Sequence, residues 1–102
     1  MAKGYVIAHG DVSDLEEYKK YQAANAEPIA KFGGRFLVRG GASEAVEGSL
    51  RSRHVVLEFP SYQAALDFYH SDLYAAARAL REPVSSLDMI IVEGYDGPQP
   101  GD

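Results

Sequence analysis

Two charged residues stand inside otherwise apolar stretches: Arg39 in Phe36-Leu37-Val38-Arg39-Gly40-Gly41, and Glu58 in Arg53-His54-Val55-Val56-Leu57-Glu58-Phe59-Pro60-Ser61. An ionised group leaves water at a cost, so a strand that carries one must give it a partner. Arginine presents a planar fork that fits a carboxylate, and a glutamate beside it can act as a base. The pair therefore has two readings. It is a site for a small organic acid or carbonyl compound, with Arg39 as anchor and Glu58 as base, or it is a buried ion pair that fixes register or an interface. His9, at the end of Tyr5-Val6-Ile7-Ala8-His9, is a third candidate, as a general acid or base or as a hydrogen-bonded interface residue. Three further residues are candidates for binding a substrate. Tyr69, with Tyr18 and Tyr74, supplies a hydroxyl at a pocket edge or is a core aromatic with a wet tip. Arg81 serves a site or compensates a helix C-terminus. Asn25 stands three residues before Pro28 and could line a pocket wall.

Other chemistries find no support. The chain has no cysteine, which removes disulfides, thiol nucleophiles and thiolate metal sites. Its three histidines have neither His-x-His nor His-x3-His spacing, so no strong metal site is expected, and a weak one would need His9, Glu58 and one more group. Nothing favours a haem ligand, and no cofactor is called for. The pairs Gly33-Gly34 and Gly40-Gly41 lack phosphate-loop spacing, and no serine sits in a nucleophile-elbow motif. A net charge of −5 argues against nucleic acid or an anionic membrane as partner. No apolar run approaches the roughly 18 residues that span a bilayer. With no signal peptide in view, a cytoplasmic location is expected.

The elements that must position these residues follow from periodicity. Residues 5–10 read as a strand. Residues 14–32 read as a helix, capped by Ser13 or Asp14 and carrying Leu15, Tyr18, Tyr21, Ile29 and Phe32 at helical spacing. Pro28 should kink or break it near residues 25–27, and Gly33-Gly34 should end it. A strand over 35–39 is followed by a bulge or bend at Gly40-Gly41, a continuation over 42–47 and a turn at 48–52. Residues 53–59 form the next strand. Two helical segments, 61–70 and 72–81, begin at Ser61 and Ser71. A last strand covers 87–95. One domain of residues 1–95 and a flexible tail of 96–102 are expected. The order β-α-β-β-α-β is the ferredoxin-like α+β arrangement, a four-stranded antiparallel sheet with both helices on one face.

The other face of such a sheet meets water, and its strands should alternate apolar with polar. Met89-Ile90-Ile91-Val92, Val6-Ile7-Ala8 and Val55-Val56-Leu57 do not. Continuous apolar runs call for cover on both faces, so a homodimer through the open sheet face is predicted. Alternation sends Val55, Leu57 and Phe59, Phe36 and Val38, and Val6 and Ala8 to the helices. It sends His54, Val56 and Glu58, Leu37 and Arg39, and Tyr5, Ile7 and His9 to the dimer side. The facing of the last strand is open. Pairing Glu47 with Ser52, with one or two extra residues at Gly40-Gly41, brings Arg39 opposite Phe59 or Glu58. A first strand parallel to the third would put His9 beside Glu58.

Several blocks together resemble domain-of-unknown-function family 1330. They are Phe36 to Gly41, Glu47-Gly48, Arg53 to Ser61, Tyr69, Ser71, Tyr74, Arg81 and Val92-Glu93-Gly94, and the resemblance runs over residues 3–95. It implies the fold of dimeric α/β-barrel proteins, which pair two ferredoxin-like halves through their sheets. The family's activity is open. Related barrel families include cofactor-free monooxygenases, small isomerases and lactonases, and haem-binding or haem-degrading proteins. The resemblance thus implies a small-molecule-binding dimer, as a cofactor-free enzyme on an organic acid or as a non-catalytic assembly module.

Overall fold

In the computed structural model, which describes residues 2–102, β1 (Gly4–Val12) leads into a helix that its own sequence caps. The Asp14 carboxylate accepts the Glu17 backbone N–H at 3.2 Å and opens α1 (Leu15–Lys31). Glu16 and Glu17 occupy the first turn, where the helix dipole favours acids. Pro28 does not break this helix, contrary to the expectation from its missing donor. Tyr18, Tyr21, Asn25, Pro28 and Ile29 form one buried face, and burying that face holds the helix through a single absent hydrogen bond. Gly33, at φ 78°, ends it, with the Gly34 N–H donating to the Ile29 carbonyl at 2.8 Å.

β2 (Arg35–Arg39) and β3 (Arg53–Phe59) follow. Residues 40–52 between them form no strand, so the continuation expected over 42–47 is absent. Gly40, at φ 65°, turns the chain off β2 while its N–H donates to the His54 carbonyl at 2.9 Å. Ser61 and Ser71 cap α2 (Tyr62–His70) and α3 (Asp72–Arg81) through the N–H groups of Ala64 and Tyr74. A 3-10 turn, Glu82–Val84, leads into β4 (Ser85–Glu93), which begins two residues earlier than expected.

The sheet order is β2-β3-β1-β4 and every pairing is antiparallel. This is the ferredoxin-like α+β fold, with the second helix divided in two as Ser71 predicts. β1 therefore runs antiparallel to β3, not parallel as the placement of His9 beside Glu58 assumed. Alternation holds in β1, β3 and β4. Val6, Leu57 and Phe59 face inward and pack with Tyr18, Tyr21, Ile29, Phe68 and Tyr74 in one core. In β4, Met89 and Ile91 go inward, while Ile90 and Val92 lie on the open face with Ile7 and Val56.

β2 departs from the alternation. Phe36 pairs with Leu57, but Val38 pairs with Val56 and Arg39 with Val55. One extra residue at Leu37 makes a bulge, and every residue after it changes face. Val38 thus goes to the open face and Arg39 to the helix side, the reverse of what unbroken alternation predicts. The bulge sits at Leu37 rather than at Gly40-Gly41.

Candidate functional site

α1 leans chiefly on α3, whereas α2 lies against β1, β3 and β4. The gap between α1 and the sheet is a narrow cavity of about 40 Å³, partly open to solvent. Its walls are mainly apolar: Val6 and Ala8 of β1, Phe36 of β2, Val55 and Leu57 of β3, Met89 of β4. α1 contributes Tyr18, Tyr21, Gln22 and Asn25. A mostly apolar concavity with a few convergent polar groups is the usual form of a small-molecule site.

Two arginines complete the wall. The Arg39 guanidinium lies 4.3 Å from the centre of the Phe36 ring, and that of Arg53 lies 5.5 Å from the centre of Tyr18. Among the described residues neither is in an ion pair, and Arg53 Nε is buried with no hydrogen-bond partner. No carboxylate lines the cavity among the described residues. Gly40 makes room for Arg53, since a β-carbon there would stand 2.5 Å from the guanidinium.

At the α1 and α3 side of the cavity a buried polar chain runs inward. Asn25 Nδ2 lies 3.1 Å from the Tyr21 hydroxyl, which lies 3.0 Å from the Tyr74 hydroxyl. Arg81 Nη2 donates to that Tyr74 oxygen at 3.2 Å. Asn25 Oδ1 has no partner. Burial, and then the neighbouring Tyr74, push the Tyr21 hydroxyl pKa far above its ordinary value, so Tyr21 stays neutral.

The structure separates the residues that the sequence grouped. Glu58 is on the open face, where it accepts the Tyr5 hydroxyl at 3.0 Å and lies 3.5 Å from Arg35 Nε. That hydrogen bond raises the Tyr5 pKa. Arg35, not Arg39, is the cross-strand partner of Glu58, because the bulge carries Arg39 to the other face. His9 is across from His54, with their Nδ1 atoms 2.6 Å apart, so one ring must donate and the other accept. Tyr69 is outside the cavity wall and accepts from Arg78 Nη1 at 2.8 Å. Arg81 is 8 % exposed and reaches the cavity only through Tyr74 and Tyr21. Asn25, at 6 % exposure, does line the cavity. Among the described residues no group of three His, Cys, Asp or Glu is placed to hold a metal ion.

Arg53, Tyr21 and Gln22 were missed from the sequence. Arg53 shares the inward parity of Val55, Leu57 and Phe59, and that parity was a usable signal. Tyr21 is one helical turn before Asn25, which puts both on one face. The His9–His54 pairing would have followed from the antiparallel register.

The sequence matches the family described as "Domain of unknown function (DUF1330)" over residues 3–95. No curated protein matches it. Three solved structures are similar in fold. A protein of unknown function from Rhodopseudomonas palustris is 14% identical, with 94% of this chain and 85% of that one covered and a TM-score of 0.74. SnoaB, a cofactor-independent oxygenase from Streptomyces nogalater, is 10% identical, with all of both chains covered and a TM-score of 0.64. An ethyl tert-butyl ether d (ethd) family protein from Bacillus halodurans is 12% identical, with 93% and 100% covered and a TM-score of 0.55. At such identities the likeness is one of fold alone. No helix among the described residues is long and apolar enough to cross a membrane.

Proposed function

The chain belongs to the DUF1330 family, and on that premise we propose that it binds a small organic acid or carbonyl compound in the cavity between α1 and the sheet, as a cytoplasmic homodimer. One observation carries this reading. In a chain of net charge −5, the cavity wall holds Arg39 and Arg53 with no ion-pair partner and no facing carboxylate among the described residues. An acid group entering there pairs with Arg53, whose Nε is buried and without a partner, and with the exposed Arg39 beside it. Asn25 meets the inner part of the ligand. Arg81 and Tyr74 hold Tyr21 and Asn25 in position. Glu58 and His9 fall outside this site, and the ion pair of Glu58 is with Arg35, on the face assigned to the partner subunit.

The enclosure also suits cofactor-free chemistry on the bound acid, and SnoaB, of similar fold, is named a cofactor-independent oxygenase. The test is a thermal-shift series with aromatic and aliphatic carboxylates. A ligand at 100 times its Kd adds about 2.7 kcal/mol of stability. The acid-induced shift should vanish in Arg39→Ala/Arg53→Ala while the unliganded protein stays folded and dimeric. A shift that survives both substitutions sinks the site. Loss of the dimer in that variant would instead favour the assembly-module reading.

A further inference from the structure

The hydrogens of the buried chain can be counted, and the count decides which way Asn25 faces. Arg81 can only donate, so the Tyr74 oxygen accepts from it. The Tyr74 hydroxyl hydrogen then needs an acceptor, and the Tyr21 oxygen at 3.0 Å is its neighbour. The Tyr21 hydrogen in turn has one neighbour left, the terminal atom of Asn25 at 3.1 Å. With nitrogen at that position, two donors face each other. One buried tyrosine hydrogen is stranded, and so is Oδ1, which has no partner. Exchanging the two atoms pairs the carbonyl and both tyrosine hydrogens, since Arg81 donates to Tyr74, Tyr74 to Tyr21, and Tyr21 to the Asn25 carbonyl, and it leaves the Asn25 NH2 as the group without a protein partner. The two positions have nearly the same shape, so hydrogen bonding is what assigns them. A chain of bonds all running one way is also the arrangement in which each strengthens the next.

We infer that Asn25 turns its amide NH2 toward the cavity, so that the site selects an acid carrying a second hydrogen-bond acceptor, such as a carbonyl oxygen. This rests on the reading that the cavity takes an organic acid. Arg39, Arg53 and Asn25 then present donors alone to the ligand, and a ligand with acceptors alone satisfies them all. An acid with a methylene in place of the carbonyl leaves the buried amide unpaired. One with a donor there meets another donor.

The experiment compares 4-oxo-4-phenylbutanoate with 4-phenylbutanoate by calorimetric titration of the full chain. The keto acid should bind about tenfold more tightly, the usual scale for leaving a buried donor unpaired. Asn25→Asp keeps an acceptor for Tyr21 but removes the donors, so it should abolish the preference. Neutron diffraction from deuterated crystals without ligand reads the orientation directly, with deuterons expected on the cavity side of Asn25. Equal affinities in the unaltered protein overturn the selectivity, and deuterons facing Tyr21 overturn the orientation. If neither acid binds while the deuterons face the cavity, the acid site fails and the amide orientation stands.

Discussion

Tyr74 has no solvent exposure, and its hydroxyl joins Arg81 to Tyr21. Removing that oxygen in Tyr74→Phe takes the acceptor from a buried guanidinium N–H and leaves the Tyr21 hydroxyl with Asn25 as its one partner. The expected loss is about 1–3 kcal/mol, read as a fall in midpoint on thermal unfolding. Each kcal/mol is about 4–8 °C for a domain of this size. Tyr21 makes a separate prediction at alkaline pH. Its folded pKa is raised, while in the unfolded chain it ionises near about 10. Its contribution is therefore fully present below about pH 10 and is lost as pH rises above that value, because only the unfolded state releases the proton. Chemical unfolding at a series of pH values should show stability falling above about pH 10, and the fall should be shallower in Tyr21→Phe. Asn25 and Arg81 of this network were candidates in the sequence, whereas Tyr21 was read only as an apolar position of its helix, because a tyrosine at helical spacing reads equally well as core and surface. Arg39 was legible as an odd charge in a strand. Its facing was not, because facing depends on the bulge two residues earlier.

At the scale of elements, β2 decides where the site is. The Gly40-Gly41 pair attracts a bulge assignment, since glycine is the usual mark of one, yet the extra residue is Leu37, which has no such signature. Moving a bulge by a few residues reverses the face of everything between. That is why helices, caps and strand positions were readable from local chemistry while the partner of Glu58 was not. Gly40 has a different task. It sits at φ 65°, and a β-carbon there would meet Arg53. Gly41 lacks a positive φ and has open space around it. Gly40→Ala should therefore cost about 1–2 kcal/mol for the left-handed backbone alone. Because Arg53 must also move, acid binding should weaken. Gly41→Ala should stay within about 0.5 kcal/mol of the parent and bind unchanged. Denaturant unfolding and the carboxylate thermal shift, run on both variants, check the pair. Equal behaviour of the two would remove Gly40 from the account of the site.

For the whole molecule, the open sheet face is the remaining problem. Ile7, Val38, Val56, Ile90 and Val92 make an apolar centre, and Ile90 is 57 % exposed. Polar groups lie at its two ends: Tyr5, Glu58 and Arg35 at one, His9, His54 and Asp88 at the other. Arg51 bonds Asp88 at 3.0 Å beside the second group. An apolar centre with a polar rim is the anatomy of an interface, and a two-fold axis lets one such face cover its own copy. The failure of alternation in the sequence pointed to this face, and the parity of the first and third strands already placed Tyr5, Ile7, His9, His54, Val56 and Glu58 on it, while Val38 was sent to the other side and the last strand was left open. The prediction is that the protein sediments at twice its 11.1 kDa chain mass and that Ile90→Arg sediments at the single mass with its fold intact. A charge at the centre of the face costs little in a monomer, where Ile90 is wet, and much in a dimer, where it would be desolvated. The acid cavity opens on the other side of the sheet, so the monomeric variant should keep its carboxylate-induced thermal shift. A parent protein that sediments as a monomer at micromolar concentration would sink the dimer and leave the cavity argument untouched. Loss of the shift in Ile90→Arg would mean that the partner subunit helps to form the site.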